Sequence, residues 1–369
     1  MEFTFGKEHE ALRNTVRSFL DAESDEAAVR TAMASERGHD PGLWRRMAGE
    51  IGLAGLVVPE VHGGAGMGPV EALVVFEELG RSLACVPALS SYFAVNVVLE
   101  VGSEADQAKL LPDLASGRAL LTVAHVDAGG RWDLGVVSNE ARREGEGSLL
   151  DGDWRYVLDG HVADRILAVA RTSDGLGVFQ VEADAPGVSR KALPGLDLTR
   201  RLADLRLDRV AARRLGEGDA RAGLERAWLR TIAALAAEQT GAAGRCLELA
   251  TAYAKSRYQF GRPIGSFQAI KHQCADLLVK VELMRSAAWN AAFVAASGEG
   301  DLEVAVRMAR SYCAEAGFEV AAQALQIHGG MGFTWEHPIH LYLKRAKSSE
   351  LLFGSAIQHR ERLAERLAL

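Results

Sequence analysis

An α+β fold is predicted by the order in which the sequence changes texture: helical, then β-prone, then helical again. Three observations carry this. Apolar residues keep helical spacing up to about Ser116, short β-prone runs fill the stretch from Gly117 to Arg213, and the helical period returns from about Gly218 almost to Leu369. The expected domains are an N-terminal helical domain (1–116), a middle β domain (117–215) and a C-terminal helical bundle (216–369). With 369 residues, 48% of them hydrophobic and 25% charged, the chain has the length for two or three packed layers and the composition of a globular protein, not a disordered one.

In the first segment, Val70–Leu83 and Ser103–Leu114 repeat apolar residues at helical spacing. The run Val58-Pro-Glu-Val-His-Gly-Gly-Ala-Gly-Met-Gly68 reads as a glycine-rich bend between helices. A phosphate loop would need a preceding strand and a Lys-Ser/Thr ending, and the run has neither. In the middle segment, Leu120–Ala124, Tyr156–Leu158, Ile166–Ala170 and Val178–Val181 are short runs of strand-favouring residues separated by Gly and Asp.

The last segment carries three apolar stripes: Leu224, Trp228, Ile232 and Leu235; Phe267, Ile270, Cys274, Leu277 and Val281; Leu302, Val306, Ala309 and Cys313. Long helices with one apolar face pack as a bundle, and the Ala-rich run Ala233–Ala243 predicts a close helix contact. Cys85, Cys246, Cys274 and Cys313 lie far apart with no CxxC spacing and read as small packing residues.

Composition also excludes partners. A net charge of -7, with Lys and Arg dispersed, gives no basic field for nucleic acid and leaves a small molecule or a protein as the partner. No run of about 18 apolar residues is present to span a membrane. The start, Met1-Glu-Phe-Thr-Phe-Gly-Lys-Glu-His-Glu10, is too polar for a signal peptide, so a cytoplasmic location is expected. His125 and His328 belong to no cluster with metal-ligand spacing and read as core or solvated histidines.

Two interruptions of the C-terminal helices place Arg, Gln and Gly where backbone groups are free to bind. The first is Tyr253-Ala-Lys-Ser-Arg257-Tyr-Gln-Phe260-Gly261-Arg-Pro263-Ile-Gly-Ser-Phe267-Gln268; the second is Gln326-Ile-His-Gly329-Gly330-Met-Gly332-Phe333-Thr-Trp335. Arg257 offers a planar donor fork suited to pyrophosphate oxygens, and Gln268 stands at a helix N-terminus favourable to anions. Gly329 and Gly330 let N–H groups approach a ligand without an intervening Cβ.

Arg-x-x-Phe-Gly-x-Pro-Ile with a following Phe-Gln, and then Gln-x-x-Gly-Gly-x-Gly-Phe, resemble in order and spacing the motifs of the acyl-CoA dehydrogenase family. The resemblance covers nearly the whole chain. It implies that family's fold, with an N-terminal helical domain, a middle β-barrel-like domain and a C-terminal four-helix bundle. It implies FAD as cofactor, an acyl-CoA substrate, and electron-transfer flavoprotein or a similar acceptor. Arg257, Phe260 and Gln268 would contact FAD from one subunit, and Gln326, Gly329 and Gly330 would reach the same FAD from a neighbour. Ser355 joins the cofactor set by the same resemblance.

The implied reaction removes the α proton of an acyl thioester while a hydride leaves the β carbon. That needs an aimed carboxylate and a polarised carbonyl. The family's commonest base is a Glu followed by Gly-Thr. The counterpart here is Leu351-Leu352-Phe353-Gly354-Ser355, in which Phe353 holds the place of Glu. The alternative position on the preceding long helix is Thr231. Neither side chain accepts a proton at neutral pH. Glu225 and Glu350 read as surface or ion-paired groups, which leaves Glu238, in the Ala-rich helix, as the candidate base within the chain.

The middle segment departs from the family where it normally embraces the flavin ring. It has His125-Val-Asp127-Ala-Gly-Gly-Arg-Trp132 and Gly152-Asp-Trp154-Arg-Tyr156-Val-Leu158, in which Tyr156 can stack and Leu158 lacks a hydroxyl. Three functions are consistent with these residues. One is the base-lacking subunit of a heteromeric acyl-CoA dehydrogenase, resembling those that actinobacteria use on steroid side chains or other bulky acyl-CoAs. The second is a self-sufficient homo-oligomeric dehydrogenase, self-associating to a dimer or tetramer, with a non-standard base such as Glu238, and the third is a same-fold flavin monooxygenase or non-catalytic scaffold.

Overall fold

The computed structural model describes residues 6–145 and 147–369. Met1–Phe5, the first part of the stretch read as too polar for a leader, lie outside the described residues. Six helices come first: α1 (Lys7–Glu23), α2 (Glu26–Ala34), α3 (Pro41–Ile51), α4 (Pro69–Ser82), α5 (Ala88–Val101) and α6 (Glu104–Ala115). Strands follow: β1 (Leu121–Ala124), β2 (Glu140–Glu144), β3 (Gly147–Leu158), β4 (Arg165–Thr172), β5 (Gly175–Glu182), β6 (Val188–Ala192) and β7 (Leu202–Leu215). The remainder is α7 (Arg221–Ser256), the hairpin β8 (Tyr258–Gln259) and β9 (Arg262–Pro263), α8 (Gln268–Ser297), α9 (Leu302–His328), α10 (Ile339–Leu351) and α11 (Ala356–Leu367). The α+β order expected from the sequence is therefore present. The last helix of the expected four is divided into α10 and α11 by the turn at Leu352–Ser355.

Helix limits follow local chemistry. Asp40 caps α3 by accepting from Gly42 N and Leu43 N, Pro41 begins the helix, and Gly52 closes it in the left-handed region at φ 67°. Ser103 and Asp106 form a capping box on α6. The glycine-rich bend is structural: a Cβ on Gly64 would lie 2.1 Å from the carbonyl oxygen of Val58.

The chain forms two compact units that do not follow chain order. One contains the residues up to Thr31, Pro69–Ala84 and Ile232–Leu369; the other contains Ala32–Gly68 and Cys85–Thr231. In the second unit the strand pairing closes on itself, running β4–β5–β7–β3–β2 and back to β4, with β1 parallel to β4 and β6 paired with β7. Leu150, Trp154, Ile166, Phe179, Leu205 and Val210 fill its interior, and the Trp154 indole donates to Val169 O at 3.1 Å.

Strands β2, β6 and β7 carry weak apolar signals because their outer faces are rich in Arg, Glu and Lys. In β7 the inward alternation also slips at Arg209, where φ is 49° and the register against β3 shifts. In the first unit, α4 and α7 meet at reciprocal glycines. A Cβ on Gly80 would lie 1.9 Å from Glu238 O, and one on Gly241 would lie 1.7 Å from Glu77 O. The close approach expected of the Ala-rich run is made there. Three of the four cysteines are buried, and Cys274 is half-buried.

Candidate functional site

The first motif is a tight hairpin at the end of α7. Arg257 N donates to Tyr253 O and Ile264 N donates to Arg257 O, both at 2.8 Å. Phe260 and Gly261 form the two-residue turn with φ 54° and 77°, the geometry of a primed hairpin turn that favours glycine. Phe260 is 91% exposed, held in a backbone region that costs a non-glycine residue energy, and has an edge-on neighbour, Phe267, at 6.1 Å. A ring placed this way adds little to the core and is free to meet a ligand or a partner. Arg257 and Gln268 are exposed as well, and Gln268 opens α8, whose N-terminus has no side-chain cap.

The second motif is the end of α9 and the 3₁₀ turn Gly329–Phe333. Gly329, at φ 58° and ψ −136°, adopts a conformation that side chains resist. Gly330 is outside the left-handed region, and a Cβ there would meet nothing within 4 Å. Neither backbone strain nor packing within this chain calls for glycine at 330. What its missing Cβ leaves open is a backbone face that a ligand can approach. Gly332 differs, since its Cβ would lie 2.8 Å from Leu325 O. Gln326, Phe333 and Trp335 are exposed around the turn.

The two motifs meet within one chain. The His328 ring lies 4.6 Å from the Tyr253 ring, so the last residue of α9 touches the turn of α7 that leads into Arg257. The resemblance divides contacts with one FAD between two subunits. The structure adds that each chain presents both elements at one end of its helices, because α7 and α9 end next to one another.

Ser355 serves the helix that follows it. Its hydroxyl accepts from Gln358 N, and Gln358 Oε1 accepts from Ser355 N, a capping box that starts α11. Phe353, which the resemblance sets at the place of the family's carboxylate, is 1% exposed with φ 60°. Its turn is tethered through the main chain. His359 Nε2 donates to Phe353 O at 3.0 Å, and burial lowers the His359 pKa to about 3, so the ring stays neutral. Arg310, fully buried on α9, places Nη1 at 3.1 Å from Gln239 Oε1, while Nη2 is ringed at 2.7–3.1 Å by the carbonyls of Ser349, Glu350, Leu352 and Gly354. Two of these are last-turn carbonyls of α10 that a helix cannot satisfy itself. Sequence reasoning missed Arg310. Its only signal was an arginine beside the buried stripe Val306, Ala309, Cys313.

Thr231 is fully buried and its hydroxyl donates to Ala227 O at 2.8 Å. The Glu238 carboxylate is buried and accepts from Arg345 Nη1 at 2.5 Å. The cavity beside the pair, lined also by Gln239, Cys246 and Tyr342, has room for about one water molecule, far too little for a thioester. Glu225 is exposed, and Glu350 pairs with Lys347 at 2.8 Å.

In the other unit, the segments expected near a flavin ring form an aromatic column of their own. Phe93 meets His125 edge-on at 5.5 Å, His125 meets Trp132 at 5.6 Å, and Trp132 stacks on Tyr156 at 6.0 Å and 24°. Burial lowers the His125 pKa to about 3. Asp127 is committed to the loop, accepting from Gly129 N, Ser138 N and the Ser138 hydroxyl. Among the described residues no group of His, Cys, Asp and Glu is placed to hold a metal ion, and no helix is long and apolar enough to cross a membrane.

Comparison with known proteins places this geometry. Residues 6–118 match the acyl-CoA dehydrogenase N-terminal domain, and residues 225–368 match the acyl-CoA dehydrogenase C-terminal domain. The acyl-CoA dehydrogenase IpdE2 of Mycolicibacterium smegmatis is 37% identical over 97% of this chain and 98% of its own length. Among solved structures, the Tcur3481–Tcur3483 steroid ACAD is similar with a TM-score of 0.90 and 35% identity, covering 99% of both chains. The ChsE4–ChsE5 complex from Mycobacterium tuberculosis is similar with a TM-score of 0.91 and 32% identity, covering 100% of this chain and 99% of the other. The motifs, the helix–strand–helix order and these matches agree: the chain belongs to the acyl-CoA dehydrogenase family, oxidoreductases acting on CH–CH bonds.

Proposed function

We propose that this chain is the subunit lacking the catalytic carboxylate in a heteromeric, FAD-dependent acyl-CoA dehydrogenase, acting with a homologous chain that carries the base. The observation that carries the reading is a contrast inside one unit. The surface over Arg257, Phe260, Gly329 and Gly330 is open, whereas the base position is closed by a buried Phe353 on a tethered turn. Glu238, the remaining carboxylate candidate, is held by Arg345.

The residues present fit FAD, since the open backbone face at Gly330 leaves a ligand an approach that a Cβ would narrow. Arg257 and the N–H groups at Gly329 and Gly330 would hold its pyrophosphate, with Phe260, Gln268 and Gln326 flanking the nucleotide. FAD, when bound, supplies the hydride acceptor. Loss of the α proton needs a carboxylate, and neither Phe353 nor Thr231 provides one, so that step falls to the partner subunit. The similarity to a steroid ACAD supports a bulky acyl-CoA, such as one with a steroid side chain, as the substrate class, and the similarity to a two-protein complex supports the heteromeric assembly. An electron-transfer flavoprotein is the acceptor proposed on family grounds.

The test is to purify the chain alone and with a co-expressed homologue carrying the Glu, then measure flavin per chain and acyl-CoA-dependent reduction of an artificial acceptor. Little flavin and no turnover alone, with both restored in the complex, is the expected result. Full flavin with turnover from the chain alone overturns the heteromeric reading. In the assembled complex, Arg257→Ala is expected to weaken flavin retention about 10- to 100-fold, as loss of charge-assisted hydrogen bonds does. Phe353→Glu is expected to create no activity in the isolated chain and to cost about 3 kcal/mol, because a carboxyl group replaces a fully buried ring; urea unfolding measures it.

A further inference from the structure

The turn bearing Gly329 and Gly330 is flanked by two histidines in ring contact, whose tautomers the backbone fixes. His328 is 2% exposed, and its Nδ1 lies 2.7 Å from Ala324 O, so that nitrogen carries the proton and donates. Its Nε2 is left as an acceptor, buried with no hydrogen-bond partner. His337 is the complement: Ile339 N donates to its Nδ1 at 3.2 Å, which leaves the proton on Nε2. The His328 ring is 4.3 Å from the His337 ring and 4.6 Å from the Tyr253 ring.

Protonation fits neither ring. A proton on His328 Nε2 would create a charge buried among rings, and one on His337 Nδ1 would displace the N–H of Ile339. The groups around the pair offer little compensation. Tyr253 comes from α7; Glu26, from α2, is the one neighbour that favours charge on His337. His340, on α10, also has a buried Nε2 without a partner and faces Lys344 and Arg30, which oppose a further positive charge, with Glu26 again on the other side of the balance. Burial accordingly lowers the pKa of His328, His337 and His340 below the ordinary histidine value.

We propose that His328 and His337 are positioning residues whose neutral rings clamp the Gly329–Phe333 turn between the end of α7 and the start of α10, and that protonation opens the clamp. A base with a depressed folded value stabilises the folded arrangement fully above its unfolded value, about 6.5, and progressively less as the pH falls below it. The turn is therefore shaped at neutral pH and loosened by acid. The consequence for flavin rests on the reading of this surface as a nucleotide site.

Hydrogen exchange of amides 326–333, corrected for the intrinsic pH effect, tests the clamp in the full-length chain at pH 7.5 and 5.5, for wild type, His328→Phe and His337→Phe. FAD and ADP affinities are measured at the same two pH values on the complex with the co-expressed homologue, by fluorescence quenching and calorimetry. Protection in the wild type is expected to fall at least about threefold on acidification, with nucleotide affinity following, while each Phe variant, which keeps one of the two histidines, is expected to lose clearly less. Equal protection at both pH values in the wild type, or the same acid loss in both Phe variants, overturns the proposal. If one variant fails to fold, the other decides. Acid-dependent protection with no FAD or ADP binding by the complex at either pH sustains the clamp and removes the flavin reading instead.

Discussion

Arg310→Met is expected to lower the unfolding free energy by about 4 kcal/mol, read as a shift of the urea midpoint at unchanged slope. The guanidinium is fully buried and is the donor for Gln239 Oε1 and for the carbonyls of Ser349, Glu350, Leu352 and Gly354. Methionine fills most of the volume and offers no donor. Each orphaned buried acceptor costs about 1–3 kcal/mol, but the four carbonyls share one nitrogen and do not add fully, which sets the figure near the middle of the range for breaking buried charged networks. Arg310→Lys is expected to recover less than half of the loss, since a point charge cannot reach both Gln239 and the turn. Exchange at 349–354 should rise in step. A cost under about 1 kcal/mol for Arg310→Met would show that the turn carrying Phe353 is held by something else.

Glu238→Gln separates a structural carboxylate from a catalytic one. Removing the charge leaves Arg345 buried beside a neutral amide, and breaking such a pair costs about 3–5 kcal/mol. The expected phenotype is a destabilised chain whose assembled complex, per folded molecule, turns over within about twofold of wild type. Joint replacement by Glu238→Met and Arg345→Met should return most of the stability, because matched apolar groups need no desolvated partner. The opposite pattern, intact stability with turnover lost, would make Glu238 the base and end the heteromeric reading.

Much of this was legible in the residues themselves. Apolar stripes at helical spacing located the α7–α9 core residues Leu224, Ile232, Leu277, Val306 and Ala309, because burial of one helix face imposes that period. The runs Ile166–Ala170 and Val178–Val181 lie within β4 and β5, both densely buried. Strands β2, β6 and β7 escaped notice because their outer faces are written in charged residues and the alternation of β7 slips at Arg209. Arg310 and Arg345 escaped because a buried arginine looks like a surface one until its acceptors, about forty and a hundred residues away, are brought to it. Tyr156 was readable as a stacking residue, but not that its neighbour is Trp132.

Family, α+β order, the Arg257 and Gly329-Gly330 motifs, and the lack of a carboxylate at Phe353 and Thr231 all follow from residue type and local spacing, which a chain carries whether or not it is folded. Other features exist only once the chain has folded: both motifs standing side by side, Glu238 bound to Arg345, and Phe353 sealed by Arg310 and His359. Each of those depends on contacts between residues distant along the chain, whose partners local propensity and spacing do not name. Packing does, because a buried charge or carbonyl is stable only where its partner also arrives.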